Sequence, residues 1–503
     1  MKTKNSKILR RRKRNLAKRL KPKSWPEQPR PMLEVQNIHY EMADRTRAIA
    51  CGGIGAFHAL AERISLVEAI NAKVHLLKAH LPYHESDHVL NIAYNTLTGG
   101  TSLDAIALRR ADEGYLDALG AARIPAPTTA GDFTRRFTRR DVVALMDAAN
   151  SVRAKIWRKR LARRERRVAV IDLDGTVAPT TGECKEGMDI AYNGVWGYHP
   201  LIVSLANTSE PLFLVNRPGN RPSHDGAAAW ADKAIALARP TFKRVILRGD
   251  TDFALTGNFD RWDDHGVGFV FGINAMANLK QIADSLEESR WKPLKRRIKR
   301  PVEGEPRRRP DRVKDRIVAE REYKNIKLQS EHLAEFPYRP GKCDRDYRVV
   351  VVRKNLSVER GEQVLFPEVR YFFYITNLWD KTATEIVFFA NDRCNQENLI
   401  DQLKNGLNAL RMPVSDLVSN WAYMVMASLA WSLKAWFALM VRDSERRETL
   451  LRMEFRGFLD AIVQIPCQIV RTGRRTLYRI LSYNAWTRTF LQTFDRIRQL
   501  AFT

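Results

Sequence analysis

Arg166–Thr176 reads RRVAVIDLDGT and restricts the fold more tightly than any other stretch of this chain. Val168, Ala169, Val170 and Ile171 form an unbroken apolar run rich in β-branched side chains, the pattern of a strand buried on both faces. Asp172 and Asp174 end that run, and Gly175 lets the backbone turn away. Open α/β sheets place their chemistry at the carboxyl ends of such strands, so both aspartates are candidate site residues. A solvated turn capping the next element is the plainer reading of the same residues.

The theme recurs downstream. Lys243–Asp250 (KRVILRGD) is a second buried strand that ends in a carboxylate, with Asp252 just beyond. Between the two lie apolar runs at Pro200–Asn207 and Pro211–Asn216, read as a hairpin, and an alanine-rich helix at His224–Arg239. Gly266–Ile273 (GVGFVFGI) supplies one more strand. The segment 156–286 is therefore expected to be the first part of an α/β core built on a mixed sheet flanked by helices.

At 503 residues the chain exceeds a single core, and the rest divides by composition. Residues 1–32 read as a mobile basic arm and a proline-rich linker, with ten Lys/Arg and no acid in Met1–Leu20. Arg10, Arg11 and Arg12 are its candidate DNA contacts. Residues 33–155 carry helical periodicity, with Arg135 and Arg136 on short helices, and read as an all-helical DNA-binding domain. Residues 287–380, with YRVVVV at 347–352 and RYFFYIT at 370–376, read as an inserted β-rich subdomain. Residues 381–441 return to helices and form the second part of the core, and 442–503 read as a basic helical appendage. Asn420–Met440 is long and apolar enough to raise a membrane span. Ser428, Ser432, Lys434 and its scattered tryptophans favour a buried core helix, so no membrane partner is expected.

Charge narrows the function. Lys+Arg number 85 against 57 Asp+Glu, a formal net charge of +28, which points to a polyanionic partner and first to nucleic acid. Five widely spaced cysteines form no CxxC pair, so a disulfide framework is not expected and a cytoplasmic setting is.

Two aspartates at neighbouring strand ends suit Mg²⁺, and a third carboxylate is needed to hold two ions about 4 Å apart for phosphoryl transfer. Glu397 is the candidate. On a helix at about 100° per residue, Arg393, Glu397 and Lys404 fall within about 40° of one another, placing a metal ligand between two phosphate-gripping cations. An ordinary i,i+4 surface ion pair explains Arg393 and Glu397 as well. One further motif, His84-Glu85-Ser86-Asp87-His88, matches HExxH. Pro82 precedes it and Ser86 and Asp87 read as a helix cap, so the zinc-protease reading is set aside.

Asp174-Gly-Thr, Arg-Gly-Asp250 and Arg393-x3-Glu397-x6-Lys404 together resemble the DDE transposases of bacterial insertion sequences, in the branch called DDE transposase group 1. YHESDHVLNIAYN (83–95), PTTAGDF (127–133), YNGVWGYHPL (192–201) and RCNQENLIDQLK (393–404) are similar to that branch too. The resemblance implies a ribonuclease H-like core in which Asp174, Asp250 and Glu397 are catalytic and bind two Mg²⁺, with Mn²⁺ as a substitute. It also implies double-stranded DNA partners (element ends and target), a homodimer or higher oligomer on DNA, and phosphate contacts from Arg393 and Lys404. The family's third block usually begins with a tyrosine where this chain has Ala390. Trp291 and Trp379 are candidates for stacking on an unpaired end base.

Two rivals stand beside this reading. Asp172-Leu-Asp174-Gly-Thr-Val also matches the first motif of haloacid-dehalogenase-like phosphatases, with Asp172 as nucleophile, Asp174 as acid/base and Asp250 and Asp252 binding Mg²⁺. A catalytically silent DNA-binding derivative is the other.

Overall fold

The computed structural model describes residues 3–20, 47–80, 82–296, 324–360, 363–472 and 475–500. The strands, in chain order, are β1 (Arg47–Ile49), β2 (Val168–Gly175), β3 (Ala178–Pro179), β4 (Asp189–Ile190), β5 (Trp196–Tyr198), β6 (Leu201–Leu205), β7 (Glu210–Val215) and β8 (Arg244–Gly249). They continue as β9 (Val267–Ile273), β10 (Lys292–Pro293), β11 (Lys324–Tyr338), β12 (Tyr347–Arg360), β13 (Gln363–Thr376), β14 (Cys467–Thr472) and β15 (Arg475–Ile480).

Nine of them form one mixed sheet in the order β10-β11-β12-β13-β9-β8-β2-β6-β7. β6 and β7 form the expected hairpin, and β6 lies antiparallel to β2. β2, β8 and β9 run parallel, as their continuous apolar sequences demand, so their carboxyl ends share one edge of the sheet. The crossover from β7 to β8 is the helix Ala227–Ala238, whose Ala227, Ala231, Ala234 and Ala238 are all buried and let it sit close to the sheet.

The strands expected as an inserted subdomain extend this sheet. β13 pairs antiparallel with β9, matching Phe373 to Ile273, and β12, β11 and β10 follow outward. Backbone pairing at the free edge of β9 makes the region a continuation of the core. Trp291 is buried there beneath the Arg353 guanidinium at 4.2 Å, so it has no face free for a base. Trp379 is 62% exposed, but its neighbour Asp380 pairs with Arg244 at the start of β8, the end of the sheet away from Asp250.

The apolar helix Leu417–Leu439 is long enough to cross a membrane by length and composition, yet its apolar window is wholly buried inside the protein. Its polar atoms are satisfied by protein: Trp436 Nε1 donates to Glu210 at 2.8 Å and Lys434 Nζ to the Leu451 carbonyl at 2.9 Å. Glu210, fully buried at the start of β7, also accepts from Arg153 and Trp157 of the helix Arg139–Arg160. That helix runs through the boundary expected at residue 155, and Phe57 stacks on Phe437 at 5.1 Å. The helical segment thus shares one hydrophobic core with the sheet and the buried helix.

Both ends of the chain differ from expectation. The basic arm is helical over Thr3–Leu20, and Arg12 donates to the carbonyls of Ile480 and Ser482 at 2.9 and 3.0 Å. The proline-rich linker lies outside the described residues. The carboxyl-terminal segment is helical only in part, because β14 and β15 form a hairpin that pairs with β1. Buried Cys467 and Ile469 alternate with half-buried Gln468 and Val470, a period of two that the adjacent apolar residues and the arginines hide in the sequence.

Candidate active site

Asp172 and Asp174 point to the same face of β2, two residues apart, but meet different partners. Asp172 lies beside Arg248 of β8, which donates Nε to one carboxylate oxygen at 2.6 Å and Nη2 to the other at 2.9 Å. Asp172 is 1% exposed, and Arg248 is held further by the Phe389 carbonyl at 2.6 Å. A carboxylate buried and gripped at both oxygens cannot reach an incoming phosphorus. This corrects the phosphatase alternative, and Asp172 becomes a structural anchor between β2 and β8.

Asp174 sits one pleat further on, at the mouth of the sheet. Gly175 follows because a side chain there would stand 3.0 Å from His199 Nε2 and 3.1 Å from Ser223 Cβ. Asp250 leaves the end of β8 and caps a short turn, its Oδ1 accepting from the Asp252 N–H at 3.0 Å. Asp252 itself is exposed and contributes that N–H and its charge. Gly249 is required there, since an added Cβ would meet Phe253 Cβ at 2.8 Å.

Glu397 arrives from the other side of the sequence. Thr382 and Glu385 form a capping box that starts the helix Ala383–Asn391, and a second helix, Cys394–Asp401, follows with Glu397 in its first turn. Gln396 fixes the direction of that turn. It is buried, bonds the Ser204 hydroxyl and donates to the Ile202 carbonyl of β6, leaving Glu397 next to it free to face the strand ends. Gln396 is not legible from the sequence alone. A glutamine between two polar residues carries no signal until its neighbour strand is known.

Arg393 joins the three. Its Nη1 lies 2.9 Å from Asp174 Oδ2 and 3.7 Å from Asp250 Oδ2, and its Nη2 lies 3.5 Å from Glu397 Oε1. The carboxylates ring this guanidinium and do not close to within 4.8 Å of one another as a single-ion group. Burial pushes the Asp174 carboxyl up to about 7; Arg393 opposes the shift, while Asp250 and Glu397 add to it. Asp250 is also raised, again first by burial. Lys404 lies in a π-helical turn, Gln402–Gly406, which widens the helix and alters the ideal face expected for it. Its ammonium is partly buried and still feels Asp174.

Beside the triad opens a cavity of about 470 Å³ lined by Asp250, Arg393, Glu397 and Ala390, with Phe372 and Tyr374 of β13 on its wall. Tyr374 donates weakly to Asn391 Oδ1 at 3.4 Å. Nothing in the alternation of RYFFYIT shows that these aromatic residues face a site formed by a helix further along the chain. The other basic candidates lie elsewhere: Arg10 and Arg11 are exposed on the first helix, Arg136 is exposed, and Arg135 is exposed and paired with Asp132 at 2.6 Å.

Residues 44–502 match the family described as Transposase DDE domain group 1. No curated protein sequence matches the chain. Among solved structures, it is similar to a piggyBac transposase in a synaptic complex with hairpin DNA, with 10% identity and a TM-score of 0.34, over 90% of this chain and 88% of that one.

Proposed function

The chain belongs to the transposase DDE domain group 1 family, and on that premise we propose that it binds the terminal inverted repeats of an insertion sequence, cuts the strand at each end and transfers it to target DNA. One observation carries the proposal: carboxylates from two strand ends and a distant helix surround a single cationic group. The strand order β7-β6-β2-β8-β9 supports a ribonuclease H-like reading of the centre.

DDE transposases use divalent metal ions. The donor set here is oxygen only, which fits a hard ion such as Mg²⁺, with Mn²⁺ as a substitute. Three acidic side chains already gather round one positive charge, so the residues suit the group. Asp174, Asp250 and Glu397 would hold two ions, which would activate the attacking oxygen and stabilise the leaving one. The remaining work belongs to the protein. Gln396 and the Asp172–Arg248 pair keep the carboxylates aimed at one place. Arg393 and Lys404 grip phosphates beside the cut, and the net charge of +28 draws the duplex in with a strong salt dependence. Holding the freed 3′-hydroxyl against a target phosphate in the same site supplies the proximity that strand transfer needs. Two element ends call for a dimer or larger assembly on DNA.

The test is a duplex carrying the inverted repeats that flank the gene, incubated with the protein and Mg²⁺. Cutting at the repeat ends by the natural chain, with binding but no cutting by Glu397→Gln, supports the proposal. Cutting by Glu397→Gln at the natural rate would overturn it.

A further inference from the structure

The fold turns His88 of the HExxH motif away from His84 and Glu85, and His80 joins those two instead. The helix begins at Glu85 with His84 as its N-cap, ahead of Ser86 and Asp87, the residues the sequence offers as a cap. His88 therefore turns inward, where it is buried and stacks on Phe133 at 4.3 Å. His80 approaches from the segment before the helix. The ligand atoms of His80, His84 and Glu85 all lie within 4.8 Å of one another, and the two imidazoles stack at 4.1 Å. Glu85 is buried, and its Oε1 accepts the N–H groups of Leu76 and Leu77 at 3.0 Å each. Its Oε2 stands 3.1 Å from His80 Nε2.

We propose that His80, His84 and Glu85 form a zinc site that pins the segment after Lys73 to the start of the Glu85–Leu97 helix. Two imidazoles and one carboxylate are a donor set zinc accepts, while Mg²⁺ prefers oxygen alone, so this site and the acidic triad take different ions. The backbone N–H groups on Glu85 are the outer support that orients a ligating carboxylate. For Nε2 of His80 to bind the ion, the hydrogen it shares with Glu85 moves to Nδ1 and the ring stays neutral. Four-coordinate zinc brings its ligand atoms to roughly 3.3 Å apart at bond lengths near 2.0 Å. His80 is 44% exposed and His84 is exposed, so solvent leaves both rings room to turn that far once their stacking is given up, and water takes the fourth position.

The experiment uses the full-length chain with Zn²⁺ alone, followed by calorimetry, and Co²⁺ alone, followed by its visible absorption. His80→Ala and His84→Ala alter exposed side chains and are expected to keep the fold. Each should weaken Zn²⁺ binding by about tenfold or more and abolish the Co²⁺ band, whereas His75→Ala, an exposed histidine outside the group, should change neither. Binding of equal strength in the natural chain and both variants, or no binding by the natural chain, would overturn the proposal. Neither result bears on DNA cleavage.

Discussion

Arg393 Nη1 stands 2.9 Å from Asp174 Oδ2 and 3.7 Å from Asp250 Oδ2, so one guanidinium bridges the two strand-end carboxylates while its other nitrogen faces Glu397. It holds ground that a divalent ion also needs. Arg393→Gln should therefore bind Mn²⁺ several-fold more tightly without DNA, as read by calorimetry. The same variant should lose strand cleavage by on the order of 100-fold if Arg393 makes the proposed phosphate contact. Weaker Mn²⁺ binding would show that Arg393 organises the triad and does not compete for it.

The raised Asp174 carboxyl gives a pH dependence with a definite sign. Its folded value of about 7 lies above the usual carboxylate range, so between about pH 4 and pH 7 the folded state holds a proton the unfolded chain has released. Without metal, stability should fall as pH rises through that window. Urea unfolding of Asp174→Asn should show a shallower fall. Divalent ion binding needs the ionised form, so Mn²⁺ affinity should climb from pH 6 to pH 8 in the natural chain.

Asp172→Asn should act on the fold. It leaves Arg248 buried beside a neutral partner, and breaking a buried pair costs about 3–5 kcal/mol. Thermal unfolding should register that loss. Cleavage per folded molecule should fall as the carboxylates lose their aim but stay measurable, where loss of a nucleophile would abolish it.

The sequence is most legible where a pattern is local. β2 and β8 are visible because parallel strands covered on both faces leave continuous apolar runs, and Asp174 and Asp250 follow from their positions at the ends. β11 to β13 are visible as strands, but their attachment to β9 is not, because pairing partners leave no mark in a single strand. The cap at His84 is hidden in the sequence, since Ser86 and Asp87 are stronger capping types than histidine. Gln396, Arg248 and the wall of Phe372 and Tyr374 depend on neighbours distant in sequence. The scattered tryptophans did signal a buried helix, and the fold supplies the partners: Leu214, Ser209 and Glu210 accept from Trp421, Trp431 and Trp436.

Lys434 offers a test of that buried helix. Burial alone brings its ammonium down to about 7, against an unfolded value of about 10.4. Between those limits the unfolded chain binds the extra proton, so stability should rise as pH increases from about 7 to 10. Lys434→Met should abolish the rise and be neutral or stabilising at pH 7. Denaturant midpoints at several pH values decide it.

Convergence of residues 174, 250 and 397 on shared ions is the central claim, and Fe²⁺ with ascorbate and peroxide tests it most directly. Radicals formed at a bound ion cut the nearest backbone. Cuts beside Asp174, Asp250 and Glu397 together, suppressed by excess Mg²⁺ and lost in Asp174→Asn, are the expected result. Cuts near only one of the three, or a pattern that survives Asp174→Asn, would contradict the shared site.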